Sequence, residues 1–194
     1  MFARTERLTL RPGWIEDAPA LYRAIADEQI VRNLATAPWP YRPEDAESFL
    51  GRDRGVTEAS ALVFLHTGDK PELIGGVGFG RMPDGRIELG YWLKRDHWNR
   101  GYATEAARAL LDAARHSLRL KRLEAGHFLD NPASGRVLEK LGFRPTGQIV
   151  PRYSVGRGEA APCRLLTLAL AETGDADAEA AVAPCDLRME ALAA

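Results

Sequence analysis

The sequence predicts one mixed α+β domain in which a meander of strands leads into a strand–helix–strand unit. Three strand-like runs separated by turn signals lie within residues 61–93, which is typical of antiparallel strands. Apolar residues then follow helical spacing between Ala103 and Leu118, over about four turns. The strand-like run Arg122–Phe128 follows this helix, so the meander continues into a crossover unit.

Short strands and helices are predicted in the first half of the chain. Arg4–Arg11 alternates around two leucines and predicts a half-buried strand that ends at Pro12-Gly13. Asp17–Ala26 and Pro43–Arg52 each begin with acidic residues, which favours two short helices. The three strands of the meander are then Ala61–His66, Glu72–Phe79 and Arg86–Leu93.

The second half is predicted to contain another helix and two more strands. Asn131-Pro132 opens the helix, because Asn is a favoured cap and Pro suits the first helical position. Gly142 ends this helix in a left-handed stop. Phe143–Tyr153 and Arg164–Leu170 are the last strand candidates. The domain is expected to span residues 1–171, and residues 172–194 form an Ala/Asp/Glu-rich tail whose composition favours disorder or a loose helix.

Composition argues against several classes of function. Lys and Arg number 26 against 27 Asp and Glu, so the chain lacks the basic excess of a nucleic-acid binder. No run approaches the roughly 18 apolar residues that cross a bilayer, and the N-terminus lacks a signal peptide's apolar stretch. Two cysteines and four scattered histidines have no metal-site spacing. We therefore expect a cytoplasmic protein without a metal, a membrane or a nucleic-acid partner.

The most informative segment is Glu88–Glu105, which reads ELGYWLKRDHWNRGYATE. A predicted strand ends at Leu93, a polar loop follows, and a helix begins near Gly101. The first N–H groups of a helix have no internal partners and carry partial positive charge, so such an end can bind phosphate. Glycine-containing turns of this kind are also common where nothing binds, so geometry alone leaves both interpretations open.

Two other phosphate-binding motifs are excluded. The chain has no G-x-x-x-x-G-K-[ST] sequence, so it is not a P-loop enzyme. The glycine-rich run Gly75–Gly80 lies inside a strand-like segment and leads into Arg81-Met82-Pro83 instead of a helix. Strand packing explains this run better than a dinucleotide fingerprint does.

Three further motifs carry a family resemblance. Trp98–Glu105, followed by Asn131–Ser134 and Leu138–Phe143, closely resembles the GNAT superfamily of N-acetyltransferases. Glu88–Leu93 and the Trp39-Pro40 loop resemble its RimJ/RimL-type branch, which acetylates ribosomal-protein N-termini. Each piece is weakly specific, but their shared order and spacing over residues 4–170 is a specific signal.

One residue departs from the superfamily pattern. Where the motif often has Gln or Arg three residues before its glycine, this chain has Trp98. The backbone donors of the turn are unchanged by this difference. Binding of the coenzyme is therefore expected to survive.

The resemblance implies acetyl-CoA as cosubstrate and a GNAT fold. That fold has a central mixed, mostly antiparallel sheet of about seven strands, flanked by helices. The parallel strands Arg86–Leu93 and Arg122–Phe128 would splay apart to form the acetyl-CoA cleft. Backbone groups near Leu93 would bind the pantetheine arm and polarise the thioester carbonyl. Asn131 would contact the pantetheine, cap its helix, or do both. The cofactor-binding residues expected are Leu93, Trp98, Asn99, Arg100, Gly101, Tyr102, Ala103, Thr104 and Asn131.

The resemblance also implies two catalytic candidates. Ser134 would lie near the thioester sulfur and orient or protonate the departing thiolate, although a serine in a first helical turn often only satisfies backbone donors. Glu88 would remove the acceptor's proton through a water, unless it only pairs with Arg81 or Arg86. His97 is a weaker rival, expected to be a surface loop residue.

The acceptor is expected to be a primary amine, bound in part by Trp39, Tyr41 and Tyr153, which otherwise serve only packing. Tyr153 is also a candidate to assist proton transfer. Because both cysteines lie outside the motifs, the amine is expected to attack the thioester directly in a ternary complex. The branch resemblance favours the α-amine of a protein or peptide. Amino acids, polyamines or aminoglycosides are the alternative acceptors, and a non-catalytic acetyl-CoA-sensing module is the rival function. The expected assembly is a monomer or a homodimer.

Overall fold

A computed structural model of the chain describes residues 2–52, 59–66, 70–82, 84–118 and 120–170. The tail predicted for residues 172–194 lies outside the described residues. The strands are β1 (Ala3–Arg4), β2 (Leu8–Arg11), β3 (Ser60–Leu65), β4 (Glu72–Arg81), β5 (Ile87–Leu93), β6 (Arg122–Phe128), β7 (Arg144–Ser154) and β8 (Glu159–Ala169). The helices are α1 (Ala18–Ile25), α2 (Glu28–Val31), α3 (Pro43–Gly51), α4 (Tyr102–His116) and α5 (Pro132–Lys140).

These strands form one sheet in the order β1-β2-β3-β4-β5-β6-β8-β7. Every neighbouring pair is antiparallel except β5 and β6, so the predicted mixed, mostly antiparallel sheet is confirmed. The sheet has eight strands instead of about seven, because the single strand predicted for Arg4–Arg11 is wrong. A tight turn, in which the Thr5 N–H donates to the Leu8 carbonyl at 2.8 Å, splits that segment into the β1–β2 hairpin.

The two parallel strands separate soon after they meet. Their register consists of one pair, Glu88 of β5 with Glu124 of β6. Beyond this pair β5 follows β4, whereas β6 follows β8 along its whole length. The sheet is therefore split between β5 and β6, and an edge of β5 is left facing the gap.

The helices cover both faces of the sheet. Helices α4 and α5 bury their apolar sides against a core that includes Leu110, Leu123 and Leu138. Helices α1–α3 cover the opposite face, where Leu62, Phe64 and Leu73 belong to a second core. Side chains alternate between these faces along β5: Leu89 and Leu93 join the α4–α5 core, and Trp92 packs against the α1–α3 core. Odd-numbered and even-numbered residues of β5 can therefore contact ligands on opposite faces of the sheet.

The interior of α4 should contribute strongly to stability. Leu110 is fully buried in the core beneath α4. Replacing Leu110 with Ala is expected to lower the free energy of unfolding by about 2–5 kcal/mol, because apolar contacts are lost and a cavity is left. Urea denaturation measures the change, with Leu129→Ala as the control, since Leu129 is 41% exposed. Equal urea midpoints for the two variants would contradict the placement of Leu110 in the core.

Candidate active site

A cavity of about 530 Å³ lies where β5 and β6 diverge. It is lined from β5, β6, the start of α4, the start of α5 and the α2 region. Ten of the residues expected from the sequence line it together: Glu88, Leu93, Trp98, Asn99, Gly101, Tyr102, Ala103, Thr104, Asn131 and Ser134. Arg100 lies in the same turn but outside the lining, and its carbonyl accepts a hydrogen bond from Arg7 at 3.1 Å.

The register of β5 determines which of its backbone groups face the gap. The Lys94 N–H donates to the Ile74 carbonyl, and the Met82 N–H donates to the Arg86 carbonyl. In an antiparallel pair, hydrogen-bonded residues alternate with residues whose N–H and C=O groups point the other way. Even-numbered residues of β5 therefore bond to β4, and the backbone groups of Tyr91 and Leu93 are directed to the cleft.

A tight turn positions the opening of α4 beside this strand edge. Asn99 has φ of 59° and Gly101 has φ of 81°, both left-handed values that Asn and Gly adopt more readily than other residues. The first helical bond is Glu105 N–H to the Gly101 carbonyl, at 3.0 Å. The N–H groups of residues 102–104 consequently have no acceptor inside the helix and are available to a ligand at its N-terminus.

Trp98 ties this turn to the strand. Its indole Nε1–H donates to the Leu93 carbonyl at 2.8 Å. The sequence indicated Trp98 as a departure from a family motif and as a cofactor-binding candidate, but it did not predict this bond. The indole fixes the distance between the end of β5 and the opening of α4, the two backbone surfaces that meet in the cavity.

A carboxylate anchors the other side of the turn. Glu105 accepts hydrogen bonds from the Thr5 hydroxyl, the Arg7 N–H and the Arg7 Nε at 2.5, 3.0 and 2.8 Å. Burial raises the pKa of Glu105, but these bonds outweigh burial and the net pKa is lowered. Sequence patterns could not reveal this anchor, since Arg7 and Glu105 are 98 positions apart.

This anchor predicts a pH-dependent contribution to stability. A depressed carboxyl pKa stabilises the fold above the ordinary value of 4.5 and ceases to do so as the pH falls through the lowered value. Glu105→Gln should therefore lower the free energy of unfolding at pH 7 by about 1–3 kcal/mol. The difference from the native protein should shrink below about pH 4.5. Urea denaturation across this range measures it, and Glu139→Gln, an exposed change on α5, should show no such trend.

Asn131, Ser134 and Tyr91 form a hydrogen-bonded group on the α5 side of the cavity. The Asn131 Oδ1 accepts from the Ser134 N–H at 3.2 Å, so the predicted helix cap is present. The Tyr91 hydroxyl lies 2.8 Å from the Ser134 Oγ and donates to the Ser134 carbonyl at 3.0 Å. Burial raises the pKa of Tyr91 to about 12, so the phenol stays protonated at neutral pH.

Tyr91 was missed as a functional residue by the sequence argument. Its position on β5 could have indicated it. Tyr91 is two residues from both Leu89 and Leu93, so its side chain must lie on the same face of the sheet as theirs, the face that α5 covers. A polar aromatic among apolar residues on that face indicates a partner for its hydroxyl.

Glu88 lies on the opposite face and is paired with an arginine from the far edge of the sheet. The Arg152 Nη1 and Nη2 donate to the two oxygens of Glu88 at 2.5 and 2.8 Å. The alternative pairing with Arg81 or Arg86 is wrong, because both oxygens of Glu88 bond to Arg152, and Arg86 bonds to Asp84 and Glu124. Arg152 reaches across β8 and β6 above Gly126, where a Cβ would lie 3.0 Å from its Nη1.

His97 is not the surface residue that the sequence indicated. The residue is 7% exposed, and its Nε2 lies 3.3 Å from the Glu72 Oε1. A 3-10 turn over Arg95–His97 directs the ring inward, with its centroid 6.0 Å from that of Tyr102. The imidazole therefore packs under the turn before α4, and its closest polar partner is a carboxylate.

Three residues expected at the acceptor site do not line the cavity. Tyr41 is buried with α1–α3, where burial raises its pKa to about 12. Trp39 and Tyr153 are 41% and 58% exposed. Tyr153 follows Arg152 on β7, and because side chains alternate along a strand, only Arg152 points to the cavity.

The wall on this side comes instead from a segment that the sequence argument did not select. Gln29, Ile30 and residues 33–35 line the cavity. The β7–β8 hairpin holds this segment: the Ser154 hydroxyl donates to the Leu34 carbonyl at 2.7 Å, and the Val155 N–H donates to the Ala35 carbonyl at 3.0 Å. Contacts of this range are invisible to local sequence patterns.

Cys163 also lines the cavity, although it lies outside the sequence motifs. The residue is buried, and burial raises the pKa of its thiol. A thiol with a raised pKa is largely protonated at neutral pH and is a poor nucleophile. Cys185 lies outside the described residues.

Neither a metal centre nor a membrane span is found in the described part of the chain. Over the ranges that the structure covers, no group of three or more His, Cys, Asp or Glu side chains is arranged to hold a metal ion. In those same ranges, no helix is long and apolar enough to cross a bilayer.

Comparison with known proteins gives one consistent family. The model of the Acetyltransferase (GNAT) domain matches residues 7–144. An uncharacterized N-acetyltransferase, p20 of Bacillus licheniformis, is 32% identical over 157 residues, which cover 79% of this chain and 88% of that protein. The ribosomal-protein-serine acetyltransferase of Escherichia coli is 35% identical over 74 residues, covering 37% of this chain and 41% of the relative.

Solved structures share the fold. A GNAT-family acetyltransferase from Bacillus anthracis superposes with a TM-score of 0.73 at 24% identity, covering 87% of this chain and 98% of the other. The ribosomal-protein α-N-acetyltransferase RimL, solved with coenzyme A, superposes with a TM-score of 0.70 at 17% identity, covering 88% and 98%.

Proposed function

The chain belongs to the GNAT family of acetyl-CoA-dependent N-acetyltransferases, and from this premise we propose that its acceptor is the α-amine of a protein or peptide N-terminus. One observation carries the proposal. A single cavity joins the open N-terminus of α4 and the free edge of β5 to a carboxylate on the opposite face of the sheet. The resemblance to the ribosomal branch and the partial match to a ribosomal-protein-serine acetyltransferase support the choice of acceptor.

Residues on the α4–α5 face fit the coenzyme. The N–H groups of residues 102–104 are suited to its diphosphate, because they combine free donors with the positive end of the helix dipole. The outward N–H and C=O groups of Tyr91 and the N–H of Leu93 are suited to the amides of its pantetheine arm, which can pair with β5 as an added strand does. The coenzyme supplies an acetyl group activated as a thioester.

The acceptor would enter from the α1–α3 face. Glu88 and Tyr91 are three residues apart on β5, so their side chains point to opposite faces of the sheet. The carboxylate that accepts the proton and the phenol therefore lie on different faces. The amine nitrogen would attack the thioester carbon through the gap. One ammonium proton passes to Glu88 through water before the attack. A C–N bond then forms, the C–S bond breaks, and the second proton lost from the nitrogen passes to the thiolate to give free CoA.

The departing sulfur needs little help. A thiol has a pKa of about 8.5, so its thiolate leaves readily at neutral pH. Tyr91, with its pKa raised to about 12, is a much weaker acid than that thiol and serves as a hydrogen-bond donor. Ser134, linked to Tyr91, would orient the sulfur, so Ser134→Ala is expected to have a smaller effect on rate than removal of Glu88.

Small-molecule amines are the second candidate acceptors. The hairpin contacts to Leu34 and Ala35 close one side of the acceptor half, which favours a compact ligand over a long peptide. A non-catalytic module that senses acetyl-CoA is the rival function. It would bind the coenzyme tightly and release no thiol.

An assay of thiol release separates these functions. Purified protein with acetyl-CoA is offered peptides with free N-termini, the same peptides with blocked N-termini, and a panel of small amines. The proposal expects CoA release with free peptides and none with blocked ones. If CoA were released with small amines and not with peptides, the acceptor would be a small amine and not a protein or peptide N-terminus. Absence of acetyl-CoA binding in calorimetry at millimolar concentration would overturn the function itself.

A further inference from the structure

The cavity lining carries more positive than negative charge. Among the described residues that line it, Glu88 provides the one carboxylate, whereas Arg136, Lys140 and Arg152 provide three cations. Arg136 and Lys140 lie on α5, on the side suited to the coenzyme. The charged side chains left for the acceptor are therefore Glu88 and Arg152, which neutralise each other. A polycation such as a polyamine or an aminoglycoside would need an excess of carboxylates here.

Arg152 has hydrogen-bonding capacity beyond its bonds to Glu88. A guanidinium carries five N–H donors, and the bidentate contact uses one on Nη1 and one on Nη2. Its side chain is 19% exposed, so most of the group is removed from solvent. Donors held in such a place are costly to leave without an acceptor, and a ligand carboxylate is the partner that matches their planar geometry best.

The pair also presents both signs of charge side by side. An amine that carries a carboxylate a few bonds away has the complementary arrangement, with its ammonium group toward Glu88 and its carboxylate toward Arg152. Binding in this orientation would place the nitrogen beside the proton acceptor and near the split between β5 and β6. An acceptor with only a hydrophobic substituent would leave Arg152 without this partner.

We infer that the acceptor of this enzyme bears a carboxylate close to its primary amine and that Arg152 binds that carboxylate. The inference rests on the proposed acetyl transfer to an α-amine and narrows its acceptor. The carboxylate can be that of a free amino acid or that of an acidic first residue in a peptide. Both sources share the chemistry that Arg152 recognises, and the two are separated by the choice of substrates.

Matched pairs of amines test the inference. The initial rate of CoA release is measured for phenylalanine against phenethylamine, for peptide amides that begin with aspartate against asparagine, and for spermidine. The native protein is expected to favour the carboxylate-bearing member of at least one pair by about ten- to a hundredfold in kcat/KM. The pair that shows the preference identifies the source of the carboxylate.

Variants then assign the preference to Arg152. Arg152→Gln should reduce it to less than about threefold, and Arg152→Lys, which keeps the charge but loses the fork, should retain part of it. Arg144→Gln is the matched control, because Arg144 is an exposed arginine at the start of the same strand. Acetyl-CoA affinity, measured by calorimetry, should be native in all three, which shows that each variant is folded. A purely structural Arg152 would lower all rates alike and leave the preference unchanged.

The outcomes distinguish this inference from the function beneath it. Equal rates within each pair, or a preference for spermidine, would overturn the carboxylate requirement while acetyl transfer stands. Transfer to none of these amines despite acetyl-CoA binding would overturn the proposed function, and the inference with it. The comparison between paired amines uses only the native protein, so it does not depend on whether any variant folds.

Discussion

Glu88→Gln is expected to lower kcat about a hundredfold or more at neutral pH and to leave acetyl-CoA affinity unchanged. The acceptor amine must lose a proton before it attacks, and a positioned general base typically contributes 10²–10⁴-fold. Gln keeps the size of Glu88 and can accept one hydrogen bond from Arg152, but it cannot accept the proton. Steady-state kinetics across pH 6–10 measure the effect.

The pH profile distinguishes lost base catalysis from damage to the site. An α-amine has a pKa of about 8, so at high pH the acceptor is deprotonated without the enzyme and the variant should recover much of its rate. Glu124→Gln is the matched control, since it also breaks an ion pair with an arginine yet lies outside the cavity lining. A variant that stays slow at every pH, or a control that is equally slow, would rule out a base role for Glu88.

The sequence specified most of the fold because the relevant signals are local. Asn131 caps α5 and Gly142 ends it with φ of 89°, as their positions in the pattern predicted. The apolar spacing between Ala103 and Leu118 gave α4 to within about two residues at each end. The β1–β2 hairpin was missed because a turn of three residues without Gly or Pro has no compositional mark.

The segment proposed to bind the coenzyme was identifiable from the sequence for the same reason. Its candidate donors are backbone groups of one continuous stretch, Leu93–Thr104, whose geometry follows from a strand end, a turn and a helix start. The acceptor half was not. Arg152 reaches Glu88 from 64 positions away, and the wall at residues 33–35 is held by a hairpin near the end of the described chain. Only tertiary packing brings these residues together.

The choice of aromatic residues shows this limit most clearly. Tyr41 and Tyr153 were expected at the acceptor from their places in the loop after the first helices and in a late strand. Tyr91, which does line the cavity, was taken as part of a strand motif. The alternation of side chains along β5 would have distinguished Tyr91. That alternation can be used only once it is known which helices cover which face of the sheet.

Gly101→Ala is expected to weaken acetyl-CoA binding about tenfold or more. Gly101 has φ of 81°, and a residue with a Cβ occupies this region at a cost of about 1–2 kcal/mol. Space is not the obstacle, because the nearest atom to an added Cβ would be the Arg7 Nη2 at 3.5 Å. The turn would relieve its strain by rotating, and the N–H groups of residues 102–104 would lose their common direction. Each hydrogen bond to a charged group is worth about 1.5–3 kcal/mol, so losing one costs at least tenfold in affinity.

Gly142→Ala makes this prediction specific to the coenzyme. Gly142 has φ of 89°, its added Cβ would also have its nearest neighbour at 3.5 Å, and it lies outside the cavity lining. Both variants should therefore lose similar stability in urea, because each places alanine in the same left-handed region. Calorimetry should show weaker binding of acetyl-CoA for Gly101→Ala alone. If the two variants bound the coenzyme equally well, the opening of α4 would not be where its diphosphate is held, since the strain at the two glycines is alike and only their positions differ.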